Sequence, residues 1–175
     1  MGPTHVLFIG GRSGVGKSSV AAEASLQFAA FDVRHAVIEG DNLDQAYPEP
    51  WRAGVDLAER NLAATWSNYR AVGYARLIFT NTVSVLHVPT LSAALGGEVR
   101  ALSFLLTATD ETAASRLAGR EIGSGRDAHI RRSADAARRL DHAADGSVSR
   151  IATDGRTVSD IAADIVAASG WADAR

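Results

Sequence analysis

His5-Val6-Leu7-Phe8-Ile9-Gly10-Gly11-Arg12-Ser13-Gly14-Val15-Gly16-Lys17-Ser18 is the stretch that decides the fold of this chain. Its first five residues form a short apolar run rich in β-branched and aromatic side chains, the pattern of a buried parallel strand. Gly11 to Ser18 match G-x-x-x-x-G-K-[ST], a phosphate-binding loop. From Ser19 to Ala30 the chain reads as a helix, with Val20, Ala24, Phe28 and Phe31 roughly on one face. The glycines allow the backbone to curl so that successive N–H groups converge as an anion nest at a helix N-terminus. Gly11, Arg12, Ser13, Gly14, Val15, Gly16, Lys17, Ser18 and Ser19 are therefore assigned to holding phosphates. Lys17 is also catalytic in this reading, a compact charge on a flexible stem suited to β- and γ-phosphate oxygens. The Ser18 hydroxyl is placed to meet Mg²⁺. The loop is expected to face solvent, so that replacing Lys17 should leave the fold untouched.

Composition narrows the rest. The chain has 175 residues, 46% of them hydrophobic and 22% charged, which predicts one folded domain spanning 1–175. Cysteine is absent, which excludes disulfides, thiolate metal sites and cysteine nucleophiles. A formal net charge of −2 gives no footprint for nucleic acid. No apolar run approaches the roughly 18–20 residues of a membrane span. The first residues lack the basic region of a signal peptide, so the expectation is a soluble, cytoplasmic protein. Of the 18 Lys and Arg residues only Lys17 is a lysine, so guanine recognition of the [NT]-K-x-D kind, which needs a second one, is excluded.

Further strand-like runs fall at Ala36–Ile38, Ala75–Phe79, Val99–Thr107 and Val148–Ala152, with helical stretches at 52–72, 88–95, 110–120, 127–144 and 158–169. Alternation of this kind predicts an α/β fold: a parallel sheet with right-handed crossovers and helices on both faces. Thr157 with Asp160 forms a capping box and Gly170 closes the last helix. Ligands of such sheets lie at the carboxyl ends of the strands, so residues after each strand are the candidates.

After the second strand, in Glu39-Gly40-Asp41-Asn42, Asp41 is assigned as a general base or hydroxyl-orienting group that also touches the Mg²⁺ shell. Asn42 is assigned to substrate, and Glu39 is a second candidate for the metal shell. The competing reading is an Asp-Asn turn. Thr80-Asn81-Thr82, after the third strand, has no Asp, which counts against a motor or switch NTPase. Farther on, Arg116, Arg120 and Arg126 flank a glycine–serine segment, the composition of a phosphate-clamping lid over about 116–132, with surface ion pairs as the alternative. Thr153-Asp154-Gly155 either lies against a purine ring or is a generic Asp-Gly turn. Trp51, Trp66 and Tyr69 read as packing residues, with a shelf for a planar substrate as the alternative, Arg138 and Arg139 as solvated surface, and His129 and His142 as helix surface or packing. Substrate specificity is expected within 42–72 and after the third strand, with Arg52 and Asn81 among the candidates.

Together, Gly11–Ser18, Glu39-Gly40-Asp41-Asn42, Arg116 with Arg120, and Thr153-Asp154-Gly155 resemble the P-loop small-molecule kinases, among them adenylyl-sulfate, gluconate and shikimate kinases and chloramphenicol phosphotransferase. The resemblance implies a three-layer fold with a five-stranded parallel sheet in nucleoside-monophosphate-kinase topology and an arginine lid. It implies Mg·ATP as phosphoryl donor, Asp41 as base, Arg116 and Arg120 as lid arginines, and Thr153, Asp154 and Gly155 as the adenine loop. Glu39 stands where adenylyl-sulfate kinases usually have Asp, and their cysteine-containing segment has no counterpart, so that substrate is not carried over. The leading expectation is transfer of the γ-phosphoryl group to a hydroxyl of a small metabolite or natural product. A nucleotide kinase and a non-transferring ATP-binding regulator or ATPase are the alternatives.

Overall fold

The computed structural model describes residues 2–119 and 126–173. Five strands, β1 (Thr4–Gly10), β2 (Ala36–Glu39), β3 (Arg76–Thr80), β4 (Val99–Thr107) and β5 (Ser149–Ala152), form one parallel sheet in the order β2-β3-β1-β4-β5. Six helices alternate with them: α1 (Lys17–Ala30), α2 (Leu57–Ala71), α3 (Val88–Leu95), α4 (Asp110–Ala118), α5 (Arg126–Ala143) and α6 (Val158–Ser169). The expected α/β class and five-stranded parallel sheet are thus present.

Successive side chains of a strand point to opposite faces, and the core divides accordingly. Leu7 and Ile9 of β1 join Phe28 of α1 and Ile165 of α6 on one face. Val6 and Phe8 join Leu62 and Trp66 of α2 and Leu91 and Leu95 of α3 on the other. A third cluster sets Leu105 of β4 against Leu140 of α5. Trp66 packs as expected, and its Nε1 donates to Thr4 Oγ1 at 3.2 Å.

The helix expected from residue 52 begins instead at Leu57. Pro50–Ala53 forms a short 3₁₀ turn, and Gly54, at φ 69°, ends it in the left-handed region. A continuous helix is incompatible with that conformation. Trp51 is consequently 55% exposed rather than packed. The caps of the last helix match expectation: Thr157 Oγ1 accepts from Asp160 N at 3.1 Å, and Gly170 adopts φ 63°. Among the described residues, no helix is long and apolar enough to cross a membrane.

Candidate active site at the carboxyl ends of the central strands

β1 ends at Gly10, and the phosphate loop carries the chain into the first turn of α1. Gly14, at φ 83°, lies so close to α4 that a Cβ there would come within 2.6 Å of the Ala113 carbonyl. Glycine is therefore required both by conformation and by space. Lys17 is only 9% exposed, and its ammonium donates to Gly11 O at 2.9 Å and Arg12 O at 3.4 Å. The lysine is thus folded onto the loop, not turned to solvent as expected.

The end of β2 lies beside this loop. Ser18 Oγ donates to Glu39 Oε2 at 3.2 Å, and the buried Thr80 Oγ1 of β3 donates to the same oxygen at 2.6 Å. The next residue, Gly40, sits against β3, where a Cβ would meet Thr80 O at 2.7 Å and the Phe79 ring at 2.5 Å. That contact turns the chain so that Asp41 faces the end of β3, and Asn81 Nδ2 donates to Asp41 Oδ1 at 2.7 Å. Asn81 Oδ1 in turn accepts from Val83 N at 2.9 Å, which fixes the amide's orientation. The Ser18 hydroxyl therefore pairs with Glu39, whereas Asp41, assigned from sequence to the metal shell, pairs with Asn81. Asn81 itself, assigned to substrate, serves as the support of Asp41.

Several other assigned residues make contacts of their own within the protein. The Arg12 side chain, 3% exposed, runs beneath the loop: its Nε donates to Ser133 Oγ at 2.9 Å, and Nη1 pairs with Asp110. Ser133 Oγ donates onward to Ser13 O at 2.8 Å, so α5 is latched to the loop. The Val15 side chain is likewise buried in the core. Arg116 donates to Val15 O at 3.1 Å, Thr153 Oγ1 at 3.0 Å and Thr153 O at 3.2 Å, joining the loop to the turn after β5. Asp154 accepts from Thr109 N and Thr109 Oγ1 and so holds the start of α4. The Thr112 hydroxyl, with the Thr109 amide and hydroxyl, keeps the Asp154 carboxyl below its ordinary pKa. Arg52 is exposed and pairs with Glu49 at 3.4 Å. Asn42 is exposed beside Asp41. Arg120 and lid residues 121–125 lie outside the described residues, as does the side chain of Arg126.

Two clefts continue from this point toward α2 and α3. The smaller, about 190 Å³, is bounded by Gly40, Asp44, Glu59, Asn81 and His87 among others. The larger, about 530 Å³, is bounded by Asp44, Trp51, Asp56, Glu59 and Thr90 among others. Burial raises the Asp44 carboxyl above its ordinary pKa, and the charges of Glu59 and Asp41 add to the rise against a lowering backbone hydrogen bond. Asn61 Nδ2 donates to Leu43 O at 2.5 Å and clasps this turn to α2. Asp44 and Glu59 fall within the 42–72 stretch expected to carry specificity but belong to no motif that singles them out, and Ser133 has no sequence signal because its bond to Arg12 spans 121 positions.

Ser18 and Glu39 offer a hydroxyl and a carboxylate, the hard oxygen donors that Mg²⁺ prefers, and few of them, as suits an ion that keeps several waters. Among the described residues no group of three His, Cys, Asp or Glu side chains is placed to hold a metal.

No protein-family model matches the chain, and no curated protein matches it by sequence. Solved structures do match. A gluconokinase from Sinorhizobium meliloti superposes with a TM-score of 0.61 at 18% identity, over 96% of this chain and 92% of that one. The tunicamycin resistance protein of Deinococcus radiodurans gives 0.62 at 20% identity, over 95% and 96%. The APS kinase of Mycobacterium tuberculosis, in complex with AMPPNP and APS, gives 0.56 at 18% identity, over 95% and 98%. At these identities the likeness is one of architecture: the chain has the fold of the P-loop small-molecule kinases.

Proposed function

We propose that the protein is an ATP-dependent kinase that phosphorylates a hydroxyl of a small molecule. The observation that carries this reading is the meeting of three strand ends: the phosphate loop after β1, the Glu39 and Asp41 carboxylates after β2, and Asn81 after β3. The loop amides and Lys17 bind the β- and γ-phosphates and stabilise the charge that spreads over the transferred group. Ser18 and Glu39 would hold Mg²⁺, which neutralises phosphate oxygen charge when bound. Asp41, oriented by Asn81, accepts the proton of the acceptor hydroxyl. The acceptor oxygen bonds the γ-phosphorus while the bond to the β–γ bridging oxygen breaks, and ADP departs with that electron pair. Arg116 keeps the loop and the Thr153 turn in register on the nucleotide side.

The test is coupled ADP release with Mg·ATP across a panel of hydroxylated metabolites and antibiotics. Asp41→Asn should retain Mg·ATP affinity by calorimetry and lower kcat by roughly 10²–10⁴, the usual worth of a positioned base. Unchanged turnover would remove Asp41 from the reaction. A nucleoside monophosphate as the sole productive acceptor would replace the hydroxyl-kinase reading by a nucleotide kinase.

A further inference from the structure

The smaller cleft, which starts at Gly40 and Asn81 next to Asp41, and the larger one, which shares Asp44 and Glu59 with it, carry a charge pattern that bears on what enters them. Asp44 and Glu59 line both, and Asp56 lines the larger. Among the described residues, neither wall contains an Arg or Lys side chain, and His87 in the smaller cleft is the one cationic candidate. Arg52, the nearest arginine in sequence to the larger cleft's Trp51, is 73% exposed at its side chain and turned to Glu49.

An acceptor bearing a carboxylate, sulfate or phosphate would bring its charge against these carboxylates with no guanidinium among the described residues of either wall to receive it. Such juxtaposition of like charges is unfavourable in a partly desolvated cleft. An ammonium group has the opposite effect. It would pair with two partly buried carboxylates whose charges act on one another. Trp51 stands on the same wall with 55% of its surface exposed, and an indole face beside carboxylates is a further attraction for a cation. Leu43, Phe79 and Leu91 supply an apolar floor in the smaller cleft for a carbon skeleton.

We propose that the acceptor is a hydroxylated amine, such as an amino sugar, aminocyclitol or amino alcohol, whose ammonium group pairs with Asp44 and Glu59 beside Trp51 while a hydroxyl reaches Asp41. This rests on the kinase reading and specifies its substrate class. The amine takes no part in the transfer. The hydroxyl oxygen alone gains the phosphoryl group, its proton passes to Asp41, and ADP leaves. Burial, with the charges of Glu59 and Asp41, raises the Asp44 carboxyl above its ordinary pKa, and a paired ammonium would act in the opposite direction.

The experiment compares three charge classes on the full chain with Mg·ATP: glucosamine, aminocyclitol antibiotics and amino alcohols; glucose and myo-inositol; gluconate, shikimate and AMP. ADP release is expected from the cationic class. For the best amine, Asp44→Asn and Glu59→Gln should each raise KM by about 10- to 100-fold, the worth of a charge-assisted hydrogen bond. Mg·ATP affinity measured by calorimetry should stay at the wild-type value in both, which also establishes that they fold. Preferential turnover of a neutral or anionic acceptor overturns the proposal, and so does an unmoved KM in both variants. Silence of every amine with Mg·ATP bound overturns it as well. Failure of the wild-type protein to bind Mg·ATP would instead bring down the kinase reading itself.

Discussion

At the scale of single residues, Glu39 concentrates two hydroxyl donors, Ser18 and Thr80, on one carboxylate oxygen at the tip of β2. The Thr80 bond is fully buried on its donor side and holds the carboxylate toward Ser18 whether or not a metal is present. Hydrogen bonds of this kind orient a metal ligand before it binds, and their loss typically costs 10- to 100-fold in metal affinity or activity. Glu39→Gln preserves the shape and removes the charge. The Mg²⁺ concentration giving half-maximal ADP release should rise by about 10- to 100-fold, read from a magnesium titration at fixed ATP. An unshifted titration would place the metal on other residues. Asp41 differs in kind, because its partner is the neutral amide of Asn81, which orients the carboxylate without adding a charge to it. In the proposed reaction one carboxylate would serve the metal and its near neighbour the acceptor. The composition Glu39-Gly40-Asp41 announces two carboxylates, but which serves which side depends on the partner that β3 brings to each.

At the scale of elements, β1 lies between β3 and β4, and the register sets His5 opposite Arg76 on one side and Arg100 on the other. Burial first, then the positive charges of Arg76 and Arg100, hold the His5 imidazole below its ordinary pKa, with Glu98 opposing them. The unfolded chain therefore binds a proton here before the folded one does. Stability is unaffected at pH well above about 6.5 and falls as pH drops from there toward the lower folded-state value. Urea midpoints between pH 7.5 and 5 should decline less in His5→Gln than in the wild-type protein, and parallel declines would remove His5 as a cause. A second element-scale contact is Arg12, which ties the phosphate loop to α4 and α5 through Asp110 and Ser133. Arg12→Met should lower unfolding free energy by about 1–3 kcal/mol in urea titrations, since the lost bonds are those of a buried charged donor. The strands, most helices and their caps were legible because apolar period, Thr caps and terminal glycines act locally. The destination of Arg12 was not, because the loop motif constrains backbone while its variable side chain found partners 98 and 121 positions away. The start of α2 was misread for a local reason, Gly54 interrupting an apolar pattern that otherwise continues.

At the scale of the whole molecule, the loop, Glu39, Asp41 and Asn81 come from three strands that are neighbours in the sheet though up to some seventy positions apart in the chain. The sequence made their strand-end positions readable, since a parallel sheet gathers the residues that follow its strands. The cleft charges were beyond reach, because Asp44 and Glu59 become neighbours only when α2 folds back over the β2 turn. A ligand held by such a constellation should stabilise the entire fold. A site occupied at about 100 times its Kd adds about 2.7 kcal/mol to unfolding free energy. For a chain of this length each kcal/mol raises Tm by about 2–4 °C, so saturating Mg·ATP should lift Tm by about 5–11 °C. Lys17→Ala removes the charge proposed to grip the terminal phosphates and should lose most of that increment. Because the ammonium also donates to two buried-loop carbonyls, the unliganded variant should itself unfold a few degrees lower, by about 1–3 kcal/mol of lost hydrogen bonding. Differential scanning fluorimetry of both proteins, with and without nucleotide, separates the two effects. A wild-type Tm that does not move with Mg·ATP would mean that the loop grips no nucleotide, and the phosphoryl-transfer reading would fall with it.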